Sequence, residues 1–281
     1  MRKTQRIGVV IKPHAPKVEA VLNELVRAME DRSISYLLEA EAADKLGVDG
    51  GLPREEIPAR VDMVVVLGGD GTLLSIAHVA ARARIPVLGV NMGHLGFLTE
   101  VPLEEMILAL DAYLEGDESI INPRQMLDVR ARGKTYQCLN DIVINKSAMA
   151  RMIQCSIWID GKEIASPRSD GLVISTPTGS TAYSLSAGGP IIQPRIPAVI
   201  IAPICPHTLS FRPMVVSSRS RIRVQVLTSG EKAYLTLDGQ RGYRVKENES
   251  IEISTSALEF SLITSPRRNY FDLLQEKLNW G

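Results

Sequence analysis

Five apolar residues, Met63 to Leu67, run directly into Gly68-Gly69-Asp70-Gly71-Thr72, and a helix-like stretch from Leu73 to Arg84 follows. This is the order of a buried strand, a tight turn and a helix N-terminus. Glycines let a ligand approach the backbone closely, and the first turn of a helix offers N–H groups with no intrahelical partner. A phosphate fits such a turn, with Gly68, Gly69, Gly71 and Thr72 as its contacts. A carboxylate in the middle of that nest repels phosphate, so Asp70 needs a different task. The simplest is to take the proton of a hydroxyl that attacks the phosphorus. The same residues also read as a capped helix start, with Asp70 or Thr72 as the cap. No Gly-Lys-Ser/Thr sequence follows, so the turn is not of the Walker type.

Three further segments carry polar groups where a buried chain would not place them. Asn91 to Leu98 follows the next apolar run and brings Gly93, Gly96 and Phe97 to its end. Phe97 suits either packing on a flat ring such as adenine or a place in the core; His94 reads as structural. Asn140-Asp141 interrupts a strand-like segment although both residue types are poor strand formers. An amide beside a carboxylate can grip vicinal sugar hydroxyls, and the pair also fits a bulge or strand end. Asp170 to Pro190 is the densest polar loop and contains no lysine or arginine. It suits the neutral parts of a nucleotide, with Thr181, Ala182 and Tyr183 around a base and Arg168 toward a phosphate. Asp238-Gly239-Gln240 reads first as a hairpin turn.

The elements that must position these residues differ between the two parts of the chain. Ile7 to Ile11, Ile34 to Leu38, Asp62 to Leu67 and Val87 to Val90 are strand-like. They alternate with helical periodicity over Lys17 to Glu30, Thr72 to Arg84 and Leu103 to Glu115. Such βαβ alternation implies a parallel sheet, which binds ligands at the carboxyl ends of its strands. Asp44 to Pro58, punctuated by Gly and Pro, is expected to be a mobile surface loop. From about Ile120 short strands take over: Met126 to Arg132, Thr135 to Ile144, Ile153 to Ile159, Gly171 to Ser175, Arg221 to Leu227, Ala233 to Leu237 and Ser250 to Ile253. Turn signals at Arg132-Gly133-Lys134, Asp160-Gly161-Lys162, Ser229-Gly230-Glu231 and Lys246-Glu247-Asn248 separate them. This predicts an antiparallel, sandwich-like β domain. Asn269 to Trp280 is helical again and is expected to return to the first domain. The expected division is residues 1–118, with 267–281 packing back, and residues 119–266.

The 281 residues balance 32 basic against 32 acidic side chains. No positive field exists to draw nucleic acid or anionic lipid. The apolar run Ile196 to Cys205 is too short to span a bilayer. Cys138, Cys155 and Cys205 lack paired spacing and are expected to be buried free thiols in a reducing cytoplasm. Four scattered histidines give no metal-ligand pattern, and no metal site is expected.

Taken together, these segments resemble the NAD kinase family, its bacterial members most closely. The resemblance rests on Gly68-Gly69-Asp70-Gly71-Thr72, Gly93 to Leu98, Asn140-Asp141, Arg168 to Pro190, Pro206 to Pro213 and Asp238-Gly239-Gln240, in the family's order, and on an aromatic-containing C-terminal helix like Phe271 to Trp280. Phosphofructokinases and lipid kinases share the Gly-Gly-Asp-Gly turn; the Asp170 to Pro190 block is far more specific. The resemblance implies a Rossmann-like α/β domain followed by a β-rich domain. It implies transfer of the ATP γ-phosphoryl group to the 2′-hydroxyl of the adenosine ribose of NAD, with Asp70 as proton acceptor. NAD contacts are implied at Gly71, Asn140, Asp141, Arg151, Arg168, Asp170, Thr181, Ala182, Tyr183, Ser184, Leu185, Ser186 and Gln240; Asp70, as proton acceptor, and Phe97, from its own position and ring, are expected to touch NAD beside them. A divalent ion, Mg²⁺, is expected on the nucleotide phosphates, because neutral loops cannot neutralise a triphosphate. A homotetramer or homodimer is implied. The family's acidic pair is most often Asn-Glu; Asp141 is one methylene shorter, a difference that a small backbone shift accommodates.

Overall fold

A computed structural model describes residues 6–147, 151–208, 210–227 and 232–280. The chain falls into two units, residues 1–123 with 260–281 and residues 124–259.

In the first unit the elements run β1 (Arg6–Ile11), α1 (Val18–Asp31), β2 (Ser35–Leu38), α2 (Ala40–Leu46), β3 (Met63–Gly68), α3 (Asp70–Ala83), β4 (Val87–Asn91) and α4 (Met106–Leu114). The strands are parallel in the order β4-β3-β1-β2. Alternate residues of each strand point to opposite faces. Ile7, Val9, Met63, Val65, Leu88 and Val90 pack on one face with Leu22, Leu25 and Met29 of α1 and with Met106 and Leu110 of α4. Val10, Val64 and Val66 are equally buried on the other face. There Leu73 of α3 reaches the bare backbone of Gly89.

The expected mobile loop at Asp44 to Pro58 is ordered instead. α2 occupies its start, and a 3₁₀ turn, Arg54–Arg60, occupies its end. Ile57 fills the space that a side chain at Gly8 would need, so the turn is sealed onto β1. Arg54 ties it down further. Its guanidinium holds the buried Glu39 carboxylate at 2.6 Å, the Ile11 carbonyl at 3.0 Å and the Ser75 hydroxyl at 3.2 Å. Glycine and proline mark the joints between short elements here rather than a single loop.

The second unit is antiparallel. Its elements are β5 (Ile121–Ala131, entering from the first unit), β6 (Lys134–Cys138), β7 (Asp141–Lys146), β8 (Ile153–Ile159), β9 (Lys162–Ala165), β10 (Arg168–Ser169) and β11 (Gly171–Ser175). After these come α5 (Tyr183–Ser186), β12 (Ala198–Ile204), β13 (Met214–Ser217), β14 (Ile222–Val226), β15 (Ala233–Leu237), β16 (Arg241–Val245) and β17 (Ser250–Ile263). One sheet orders its strands β13-β12-β11-β7-β15-β16; β5, β6, β8, β9, β10, β14 and β17 pair in the other. Inward residues of both, among them Ile142, Ile144, Leu172, Ile174, Cys155, Val224 and Ile251, form one core. That is the expected sandwich. Hairpins at Arg132-Gly133, Asp160-Gly161 and Asp238-Gly239 have both residues at positive φ, as two-residue turns between twisted strands require.

Several readings need correction. Thr135 to Ile144 is two strands, broken at Leu139-Asn140. The run Ile196 to Cys205 contains a buried strand, β12, between β11 and β13. β17 extends ten residues beyond Ile253, and its last residues pair with β4 in the first unit. Cys138 and Cys155 are buried, but Cys205 is exposed, because β12 ends at Ile204 and the chain turns there at positive φ. The turn at Ser229-Gly230-Glu231 lies outside the described residues. After β17 the chain ends in α6 (Tyr270–Leu278), started by a capping box between Asn269 and Asp272. Leu273 and Leu274 of α6 are buried.

Candidate active site

β3 ends at Gly68, and Gly69 leads in extended conformation into α3. No side chain caps this helix. The capping alternative for Asp70 therefore fails: its carboxylate reaches the segment after β4 instead. Oδ1 accepts the amides of Leu98 (3.1 Å) and Thr99 (2.9 Å) and the Thr99 hydroxyl (2.9 Å). Oδ2 accepts only the amide of Phe97 (3.0 Å) among the described residues. Oδ1 thus takes three donors and Oδ2 one, so Oδ2 is the oxygen with acceptor capacity left for a hydroxyl proton. The fit is tight, since a Cβ on Gly96 would stand 2.0 Å from Oδ1. Thr72 packs on Gly68, whereas a Cβ on Gly69 would meet nothing within 4 Å. The turn thus presents open backbone at the carboxyl end of β3 and the start of α3, the place where an anion is favoured. Phe97 is half-buried, and Lys277 of α6 lies 5.5 Å from its ring centre. His94 is exposed, and its carbonyl accepts from Asn91.

In the second unit Asn140 and Asp141 are both buried. The Asn140 carbonyl is held by the Thr176 amide (2.9 Å) and the Ser175 hydroxyl (3.1 Å). Gly179 crosses so close that its Cβ would lie 2.2 Å from that carbonyl. The Asn140 side-chain oxygen and the Ser184 and Thr178 hydroxyls are buried with no partner. Three orphaned polar atoms in one neighbourhood mark places for ligand hydrogen bonds. The Asp141 carboxyl is pushed up to about 7, first by burial and then by the charge of Asp238, while the amide of Tyr183 pulls the other way. The polar loop folds as a 3₁₀ turn over Thr178–Thr181 followed by α5. Thr181 and Ala182 are half-buried, Ser184 is buried, Leu185 is half-buried, and Tyr183 and Ser186 are exposed. Gln240 is exposed beyond the hairpin that follows β15.

Asp170, and Arg168 two residues before it, stand apart from this group. Asp141 pairs with Ser175, while Asp170 precedes Gly171, which pairs with Asn145. Five residues of strand, about 17 Å, therefore separate Asp170 from the Asp141 end of β11. Arg151 and Arg168 are exposed, and Asp170 lies 3.4 Å from the Lys146 ammonium.

Asp238-Gly239-Gln240 is among the motifs that carry the resemblance, but Asp238 receives no role of its own there, because Asp-Gly already reads as a hairpin turn. Its carboxylate also accepts the amides of Leu139 (2.8 Å), Asn140 (2.7 Å) and Asp141 (3.1 Å). The available signal was the position of an acid opposite the break in the Thr135 to Ile144 run.

A parallel α/β unit with a glycine turn at a strand's carboxyl end, together with a β sandwich carrying orphaned polar groups, defines a nucleotide-handling protein. The ATP-NAD kinase N-terminal domain matches residues 7–118, and the ATP-NAD kinase C-terminal domain matches residues 139–265. The chain belongs to the ATP-NAD kinase family. It is 45% identical over 283 aligned residues to the NAD kinase of Trichlorobacter lovleyi, with 99% of each chain covered. It is 44% identical over 282 residues to that of Geobacter sulfurreducens, again with 99% of each covered. Yeast NADH kinase complexed with NADH superposes with a TM-score of 0.89 at 25% identity, covering 100% of this chain and 89% of the yeast one. The Archaeoglobus fulgidus NAD kinase in complex with ATP gives 0.80 at 27% identity, covering 98% and 100%.

Proposed function

We propose that this chain makes NADP by moving the γ-phosphoryl group of ATP to the 2′-hydroxyl of the adenosine ribose of NAD, with Asp70 as proton acceptor. The observation that carries the residue assignment is the Asp70 carboxylate. Four donors fix it at the start of α3, and one acceptor position on Oδ2 is left over. A secondary hydroxyl is a poor nucleophile at neutral pH, and a fixed carboxylate takes its proton as the oxygen–phosphorus bond forms. Gly68, Gly69, Gly71 and Thr72 offer backbone to phosphate. The orphaned Asn140 and Ser184 oxygens, the Asp141 carboxylate and the rest of the 181–186 segment hold the dinucleotide. Mg²⁺ enters with the triphosphate and neutralises its charge, which fits loops at 68–72 and 178–186 that contain no lysine or arginine.

Arg151, Arg168 and Asp170 serve a dinucleotide seated on a neighbouring copy, and the enzyme is a homo-oligomer. The five residues of β11 between Asp170 and Asp141 support this for Asp170, and Arg168 lies two residues earlier in the chain. Three unpaired cysteines, one of them exposed, fit a reducing cytoplasm. No helix among the described residues is long and apolar enough to cross a membrane.

Purified protein supplied with NAD, ATP and Mg²⁺ should yield NADP, read with an NADP-specific dehydrogenase. Asp70→Asn should bind NAD normally and turn over about 10²–10⁴-fold more slowly. EDTA should stop the wild type, and added Mg²⁺ should restore it. Normal turnover in the variant would remove Asp70 from its role, and EDTA-insensitive turnover would remove the metal. Light scattering at micromolar concentration should give a multiple of the 30.8 kDa chain mass; a monomer overturns the shared-site reading.

A further inference from the structure

We infer that Asp238 is a positioning residue for the dinucleotide: its carboxylate holds residues 139–141 so that the Asn140 amide and the Asp141 carboxylate face the ligand. This rests on the dinucleotide reading of Asn140 and Asp141 given above.

Asp238 follows β15 at positive φ, and its amide donates to the Asp141 carbonyl at 2.9 Å. Its side chain then receives three consecutive amides, those of Leu139, Asn140 and Asp141. Successive N–H groups converging on one anion form a nest. Here the anion is supplied by the protein itself. From the other side the Thr176 hydroxyl holds the Leu139 carbonyl at 2.6 Å, and the Thr176 amide holds that of Asn140. The backbone amides and carbonyls of Leu139, Asn140 and Asp141 are therefore engaged by neighbouring strands and loops. The Asn140 side-chain oxygen, by contrast, is left without a partner.

Burial pushes the Asp238 carboxyl above its ordinary value, while the three amides and then Arg241 pull it back, so the nest works to keep this buried carboxylate ionised. The carboxylate offers two oxygens and charge-assisted bonds about twice as strong as neutral ones, where an asparagine offers one oxygen. The charge has a cost for its neighbours. It raises Asp141, and it adds to the burial that pushes the Cys138 thiol well above its usual range; Asp128 adds to the latter, and Arg241 offsets it. A hairpin needs only a residue that tolerates positive φ, which asparagine does equally well. Asp238→Asn therefore keeps the turn and weakens the nest.

The test compares wild type with Asp238→Asn as full-length enzymes. Measured are the KM for NAD, the KM for ATP, kcat, the thermal midpoint and the pH dependence of the KM for NAD. The KM for NAD should rise roughly 10- to 100-fold, the scale of lost hydrogen bonds to a charged group. The KM for ATP should stay within about twofold by the same scale. The acid limb of the NAD profile should move to lower pH, because Asp141 loses its like-charged neighbour. An unchanged KM for NAD, parallel changes in both KM values, or an unmoved acid limb would each overturn the inference. Should Asp238→Asn fail to fold, Thr176→Val loosens the same segment from its other side. It must then show the same NAD-selective loss, and equal losses for both substrates reject the idea. A wild type that forms no NADP would instead sink the functional reading itself.

Discussion

Asp70 and Asp238 each hold a run of backbone amides with a carboxylate, but they leave different chemistry behind. Asp70 keeps a free acceptor position on Oδ2, whereas Asp238 sits beside a second acid and perturbs it. The consequence for Asp141 can be measured. Its carboxyl is near 3.8 when the chain is unfolded and about 7 when folded. A raised folded value means that the stability this group contributes is complete below the unfolded value. It is lost as pH rises through the folded one. The urea midpoint of wild type relative to Asp141→Asn should therefore fall between about pH 4 and about pH 7 and stay level above that. Parallel curves would mean that Asp141 ionises freely in the fold. The same substitution should weaken NAD binding, so a carboxylate whose charge burial disfavours is also one the ligand needs.

At the scale of elements, the glycines at the phosphate turn separate folding from binding. Gly96→Ala drives a methyl group to 2.0 Å from the Asp70 oxygen and 2.4 Å from the Thr99 hydroxyl. It should lower both stability and turnover, because the clamp on Asp70 opens. Gly69→Ala meets nothing and is already in extended backbone. Its thermal midpoint should match wild type while its KM for ATP rises, read from NADP formation at varied ATP. A Gly69→Ala enzyme with normal ATP dependence would place the phosphates elsewhere. The same elements show how far the sequence can be read. The strands β1, β3 and β4 and helices α1 and α3 announce themselves, because their periodicity directly encodes burial. So does the strand–glycine–helix junction. The break between β6 and β7 does not, since what ends those strands is a side chain almost a hundred residues later, Asp238. Nor does the ordered 44–58 segment, where Ile57 and Arg54 find their partners at Gly8 and Glu39 across other elements. Local patterns report local causes, and long-range clamps are invisible to them. Asn140-Asp141 was legible as a polar anomaly, but what holds it in place was not.

At the scale of the molecule, the first unit is assembled from both ends of the chain. Phe260, Leu262 and Ile263 at the end of β17 are fully buried, and the latter two pair in parallel with Val87 and Leu88 of β4. Thr264 then bonds the Ile120 carbonyl through its amide and its hydroxyl, and Arg268 lies 3.7 Å from Glu105. α6 adds the buried Leu273 and Leu274, each worth roughly 2 kcal/mol of burial. Without this return, β4 becomes an open edge beside uncovered apolar surface, which a small domain tolerates poorly. The second unit is one continuous stretch with its own core. The two therefore have different requirements. Residues 124–259 expressed alone should melt cooperatively. Residues 1–123 alone should not, and joining 260–281 to them through a Gly/Ser linker should restore a cooperative transition by near-ultraviolet circular dichroism. A cooperative melt from 1–123 alone would show that β17 and α6 are appended to a finished unit. If the linked fragment alone melts cooperatively, the polypeptide can complete its phosphate turn, with the Asp70 clamp inside it, only after residues 260–281 have been made.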